Sequence, residues 1–274
     1  MEAFSLPFFR AALFAIVVLG GIHAYLGFHV VRRGVIFVDL ALAQMAALGV
    51  AMALVFNVHE NAVANYLWPL GMTLVGAACF AWLRSQERRV PLEAFIGIVF
   101  ATAQATVFLL LEKNPSGLEH LKETLVGTLY TVDPMHIAKT AVLYASIGVV
   151  HVLLRKPFFE ITNDPEAARA RGRKLFLWDF LFYGLFGVVV TSSVQIAGVL
   201  LVFGLLVIPA VAGLLASSRP ARSLAVGWTF AFVAGISGLF GSVHFDLPAA
   251  PSVLVALALG LTILGLLLRL RRPA

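Results

Sequence analysis

The chain has 274 residues, of which 61% are hydrophobic and 12% charged, with a mean hydropathy of +0.96 and a formal net charge of +6. A soluble domain carries about 25% charged residues, so half that share, with apolar runs of about 20 residues recurring to the C-terminus, excludes a water-soluble enzyme and points to an all-α, polytopic transmembrane bundle. The positive balance is not a nucleic-acid signal, because the basic residues sit in short connections between apolar runs, where they report membrane topology.

In chain order, the apolar runs predict about nine spans: Phe8–Val31, Gly34–Phe56, Ala62–Leu83, Pro91–Leu111, Met135–Leu154, Leu175–Ser193, Ile196–Ala216, Ala221–Gly241 and Ala250–Leu268. Eight remain possible, since the sixth and seventh are joined closely. The opening MEAFSLPFFR lacks the basic start and small-residue cleavage site of a removable signal peptide, so the first run is expected to be retained. Of the 20 Lys and Arg residues, all but Arg10, Lys113, Lys122 and Lys139 fall in one alternating set of connections. Loops rich in Lys and Arg stay in the cytoplasm. The expected topology therefore has its N-terminus outside and its C-terminus inside, with residues 1–274 as a single transmembrane domain of the bacterial plasma membrane. Cys79 is the only cysteine, which excludes a disulfide framework and a thiolate metal site.

The second span carries the most informative polar groups. Asp39 follows the basic pair Arg32-Arg33 by about 9 Å of helix rise, and Gln44 comes five residues later. A charge inside the hydrocarbon costs about 2.5–3.5 kcal/mol on insertion scales, so it normally faces a bundle interior, a partner or a wet path. Ala41, Ala43, Ala46, Ala47 and Gly49 surround the two polar residues and permit close helix approach. The plainer explanation applies equally to Asp39, Glu93 and Asp179: acids in the first turns of a helix interact favourably with its dipole and with nearby Arg or Lys. Gln44 lies roughly 140° around the helix from Asp39, so the two do not form one chelating face.

Two connections exceed simple turns. Leu118–Thr131 has apolar residues at helical spacing and is too short and too charged to span, which predicts an amphipathic helix, interfacial or dipping back between spans. Arg155–Lys174, RKPFFEITNDPEAARARGRK, is the longest cytoplasmic connection. There Asn163 or Asp164 can cap a short helix with Pro165 in its first turn and Gly172 at its end, and Glu166 faces the arginines 169, 171 and 173. Such a segment serves either as a basic anchor or as a docking helix for a soluble partner. Further on, the polar knot Thr191–Gln195 is expected to be the outer turn between spans six and seven, and Pro209 should kink the seventh. Gln104 and Gln195 are expected to bond between helices. The histidines, His23 and His151 among them, lack ligand spacing and are expected to be packed or interfacial. His59-Glu60 has no second histidine for H-E-x-x-H, and no phosphate-binding G-x-x-x-x-G-K-[ST] loop is present.

Four stretches, in consistent order, carry a resemblance. Arg32–Leu54 resembles the second-span block of the permeases of bacterial zinc, manganese and iron ATP-binding-cassette importers, a basic pair followed by G-D-A-L-S-H-A. FFEITNDPEAARARG, residues 158–172, is similar to that family's F-D-P-x-x-A-x-x-x-G segment. QIAGVLLVFGLLVIPAVAGLL matches its V-G-x-L-L-V-x-x-L-L-I-x-P-A-x-x-A pattern, Pro209 included. GLFGSVHFDLPAAPSVLVALAL resembles G-x-x-x-S-x-x-x-D-x-P-x-G-P, with Asp246, Pro248 and Pro251 in register and Ala250 in the glycine position.

The resemblance implies a homodimeric or paired permease that is not itself an enzyme. It implies partners as well: two ATPase subunits in the cytoplasm and an external metal-binding protein. It places ATPase coupling on Asp164, Pro165, Glu166, Ala168, Arg169 and Gly172, and a metal pathway on Asp39, with Gln44 the nearest further polar group. No permanent cofactor is implied; zinc, manganese or iron would be cargo. The family's histidine position is Ala43 here, which leaves Asp39 the one matched ligand. Three alternatives differ in class: a permease for a metal chelate or other small solute, a secondary transporter working alone (no internal repeat supports it) and a non-transporting assembly factor.

Overall fold

The computed structural model describes residues 6–58, 61–85, 90–112 and 127–270. Among these residues it contains ten helices and no strands: α1 (Pro7–Arg33), α2 (Val38–Val55), α3 (Ala62–Ser85), α4 (Leu92–Leu111), α5 (Pro134–Leu153), α6 (Arg155–Asn163), α7 (Pro165–Ala170), α8 (Leu175–Ala216), α9 (Pro220–His244) and α10 (Ala249–Leu270). All except α6 and α7 are long and apolar enough to cross a membrane, eight in number. Most of the expected amphipathic segment Leu118–Thr131 lies outside the described residues. Its described end, from Gly127, is turn and irregular chain.

There are eight such helices because the expected sixth and seventh spans form one element. α8 is 42 residues long, about 63 Å if straight, roughly twice the hydrocarbon thickness. It is not regular throughout. The knot Thr191–Gln195, expected to turn, is helical, and the backbone departs instead at Gly198, with φ 73° and ψ 161°. That region of backbone space is essentially restricted to glycine. Pro209 lies inside α8, and the helix continues through it.

The chain divides into two compact units. The first comprises residues 1–31, 125–148 and 195–274. Within it Trp228 donates its indole N–H to the Gly21 carbonyl at 2.8 Å, and Phe9 packs on Phe240 with ring centroids 5.1 Å apart. The break in α8 is filled by a second piece of backbone. Gly127, at φ 76°, lies so close to Ala197 and Gly198 that any Cβ would collide with them, and the Thr128 N–H donates to the Ile196 carbonyl at 3.3 Å. A break in a helix leaves backbone polar groups that must find partners elsewhere, and the Thr128 N–H supplies one here for the Ile196 carbonyl.

The second unit comprises residues 32–124 and 149–194. Its helices associate through small residues, the usual device where lipid removes the hydrophobic drive between helices. Gly49 of α2 admits the backbone of Trp68 and Pro69 in α3 so closely that a side chain there could not fit. Leu42 and Met45 meet Gly76 of α3, while Ala51 packs with Val107 and Leu111 of α4. Thr73 and Thr191 join α3 to α8 through their hydroxyls at 3.1 Å. Large apolar side chains such as Ile98, Leu109 and Leu153 are exposed, as expected of surfaces that face acyl chains.

Candidate functional site

Three acids lie near the starts of membrane-length helices in the second unit, Asp39, Glu93 and Asp179, and the structure sorts them. Asp179, near the start of α8, is buried and accepts from two arginines: Arg33 Nη1 at 2.8 Å and Arg84 Nη1 at 2.9 Å. Its partners are 146 and 95 residues away in sequence, so a local dipole is not its main satisfaction. Glu93, in the first turn of α4, accepts through Oε1 from the Phe37 N–H at 3.1 Å. It thereby satisfies an amide at the cap of α2, where the Phe37 side chain cannot.

Asp39 is the exception. It lies in the first turn of α2, its residue 1% exposed, and neither carboxylate oxygen has a hydrogen-bond partner among the described residues. Gln44 is buried too, with its carbonyl oxygen unpartnered; five residues on, it cannot share Asp39's face. Ala43 is buried and contributes no donor atom. Among the described residues no three His, Cys, Asp or Glu groups converge as a metal cage. The arrangement therefore presents one hard oxygen ligand, open to completion by water, backbone carbonyls or an amide oxygen.

The other expected site lies outside the spans. α6 follows α5 almost directly and buries Pro157, Phe158, Ile161 and Thr162. This helix was not anticipated, although Phe158 and Ile161 stand at helical spacing. Asp164 caps α7, its Oδ1 accepting from the Ala167 N–H at 2.9 Å, and Pro165 occupies the first turn. At the far end Gly172 adopts φ 84°, and the N–H groups of Gly172 and Arg173 donate to the carbonyls of Arg169 and Ala168. That pair of bonds is a Schellman cap. Ala168 is wholly buried against Ile161 and Leu175 with Trp178 alongside. Asp164, Glu166, Arg169 and Gly172 are exposed on α7 and its end. Arg173 and Arg171 pair with Glu160 of α6, at 3.2 and 3.7 Å.

Remaining polar candidates are structural. His23 is buried and shares a hydrogen bond with the Leu19 carbonyl at 2.8 Å. His151 stacks on Phe158 with ring centroids 4.6 Å apart. In the last motif Ser242 is buried, accepts from the Tyr130 hydroxyl and donates to the Leu247 carbonyl. Asp246 forms the α9–α10 turn at φ 53°, a conformation that Asp tolerates better than most residues.

Eight helices long and apolar enough to cross a membrane, with one short capped helix between two of them and one buried carboxylate that no described residue satisfies, define the class as a multi-pass membrane protein. The chain belongs to the ABC 3 transport family, whose model matches residues 5–268. It is 25% identical over 255 residues to the manganese transport system membrane protein MntC of Halalkalibacterium halodurans, covering 93% of this chain and 85% of that protein. It is 28% identical over 258 residues to the high-affinity zinc uptake system membrane protein ZnuB of Haemophilus influenzae, covering 90% and 92%. Against the chelated iron transport system membrane protein YfeD of Yersinia pestis it is 26% identical, covering 94% and 84%. Among solved structures the fold matches PsaBC from Streptococcus pneumoniae in complex with Fab, with a TM-score of 0.80 at 20% identity, over 96% of this chain and 94% of that one. The resemblance read from the four motifs thus holds: this is a permease of the metal ABC transporter family, a multi-pass protein of the bacterial inner membrane.

Proposed function

We propose that the chain is the transmembrane subunit of an importer that passes a divalent metal ion (manganese, zinc or iron) from an external binding protein to the cytoplasm by alternating access, with ATP hydrolysed in a separate ATPase subunit. The names of its relatives support the cargo class. The observation that carries the reading is Asp39: of the three acids near the starts of membrane-length helices in the second unit, two have partners and the buried third has none among the described residues. A stable bundle gains nothing from an unpaired carboxylate, whereas a cation path needs one. Since Ala43 stands where the family has its histidine, and among the described residues no three His, Cys, Asp or Glu groups converge, the site suits Mn²⁺ or another oxygen-seeking ion better than Zn²⁺. Gln44 is a secondary polar group on the same helix, and Pro209 is a point of flexure in α8.

The exposed face of α7, with Asp164, Pro165, Glu166, Ala168, Arg169 and Gly172 shaping it, is the ATPase-docking surface in this reading. A helix of six residues capped at both ends is more structure than a basic anchor requires. The basic residues support an external N-terminus and a cytoplasmic C-terminus, which requires α8 to cross twice, and two permease copies complete the path.

The test is metal-stimulated hydrolysis by the assembled complex. Mn²⁺ delivered by the binding protein should stimulate the wild type and not Asp39→Asn. Equal stimulation of both removes Asp39 from the path. A second reading, cargo in the form of a metal chelate, is favoured specifically by Ala43, which withdraws the second side-chain ligand. Uptake of free Mn²⁺ against chelated iron separates the two.

A further inference from the structure

The basic pair Arg32-Arg33 reads in sequence as a topology signal, and arginines with that task reach outward to headgroups. Arg33 does the opposite: its side chain is wholly buried. Its Nε donates to Thr162 Oγ1 at 3.0 Å and its Nη1 to Asp179 Oδ1 at 2.8 Å. The guanidinium lies over the Phe182 ring, 3.9 Å from the centroid. Arg84 Nη1 reaches the same Asp179 oxygen at 2.9 Å. One residue earlier, Arg32 Nη1 donates to Asn163 Oδ1 at 3.0 Å. Two consecutive arginines thus hold the last two residues of α6, and the next residue, Asp164, caps α7.

On the other side of the pair the chain turns at Gly34, φ 67°, and enters α2 at Val38. Asp39 is six residues beyond Arg33. A guanidinium fixed at two edges and across one face has little slack, because its planar fork sets both direction and distance for each bond. A displacement of Thr162 is therefore carried into the Arg33 backbone rather than absorbed by side-chain motion, with Asp179 and Arg84 anchoring the opposite edge, and the Arg32–Asn163 bond ties the neighbouring residues of both segments.

We infer that Arg32 and Arg33 are positioning residues that form a joint, transmitting movement of the α6–α7 segment to the start of α2 and its Asp39 carboxylate. This rests on the reading of α7 as the ATPase-docking helix and of Asp39 as a path residue.

The experiment measures Mn²⁺ transported per ATP hydrolysed, using the full complex of permease, ATPase and binding protein in vesicles. Thr162→Val removes the Arg33 acceptor at constant shape. Asn163→Ala removes the Arg32 acceptor at an exposed position, where folding is not at stake. Each variant should keep wild-type assembly and hydrolysis while the ratio falls, by about tenfold or more for the pair together, within the usual range of coupling factors. Thr162→Ser, which keeps the hydroxyl, should restore the ratio. An unchanged ratio, or transport and hydrolysis falling together with the amount of assembled complex, overturns the joint while leaving the docking reading intact. Absence of Mn²⁺-stimulated hydrolysis in the wild type overturns the functional reading and the joint with it.

Discussion

Tyr130 and Ser242 are joined hydroxyl to hydroxyl at 2.9 Å, 112 residues apart in sequence, and Ser242 donates onward to the Leu247 carbonyl. The serine of the last family motif therefore pins the segment after residue 127 to the α9–α10 turn. Its shown role is to hold structure. Ser242→Ala should cost about 1–3 kcal/mol, the range for stranding buried polar partners. Thermal unfolding of the detergent-solubilised protein would register this as a lower midpoint, with metal uptake per folded molecule unchanged. An unaltered midpoint would show that the bond contributes nothing.

Asp179 and Asp39 should behave oppositely when neutralised. Asp179→Ala leaves Arg33 and Arg84 facing each other without their shared acceptor, and removing one partner of a buried ion cluster costs about 3–5 kcal/mol. Asp39→Asn removes a carboxylate that no described residue satisfies, so stability should equal or exceed wild type, by up to about 3 kcal/mol. Parallel melting curves decide this. A strongly destabilised Asp39→Asn would mean that the carboxylate is structural.

The two ends of α7 make a graded prediction. Asp164→Ala removes the side-chain cap on the Ala167 N–H, worth about 0.5–2 kcal/mol. Gly172→Ala forces a Cβ onto a left-handed residue at a cost of about 1–2 kcal/mol. Both losses fall on a helix of six residues, so the local effect should be fraying rather than unfolding. Affinity for the ATPase should drop in both, with the melting midpoint of the spans unmoved. Wild-type ATPase retention in the double variant would contradict the role given to α7.

Much of this was legible beforehand, and the reasons are physical. Spans announce themselves by length and apolarity, and α7 by Asp164, Pro165 and Gly172, whose backbone preferences act locally. The Arg33–Asp179–Arg84 cluster was not legible, because its members are brought together only by tertiary packing. Nor was the break in α8. The polar knot Thr191–Gln195 drew attention, yet Ser192 satisfies itself by donating back to the Val188 carbonyl inside the helix. The irregular residue is Gly198, one glycine in an apolar run, and its signal depends on residues 127 and 128 docking against it. Asp39 was visible as a buried acid; that it stands without a partner required every neighbouring helix to be in place.

Gly198 itself yields a sharp expectation. At φ 73° and ψ 161° an L side chain is strained by about 1–3 kcal/mol, and the Gly127 backbone sits directly against it. Gly198→Ala should lower both the folded yield and the melting midpoint, whereas alanine at Gly148, where a Cβ meets open space, should do neither. Equal behaviour of the two variants would count against the break in α8.

The central claim is tested most directly by uptake of radioactive Mn²⁺ into vesicles that contain the assembled transporter and internal ATP. Wild type should accumulate the ion, and Asp39→Asn, folded and bound to its ATPase, should fall to the level of vesicles without ATP. Accumulation by Asp39→Asn at the wild-type rate would contradict the claim that this unpaired carboxylate lies on the route of the metal.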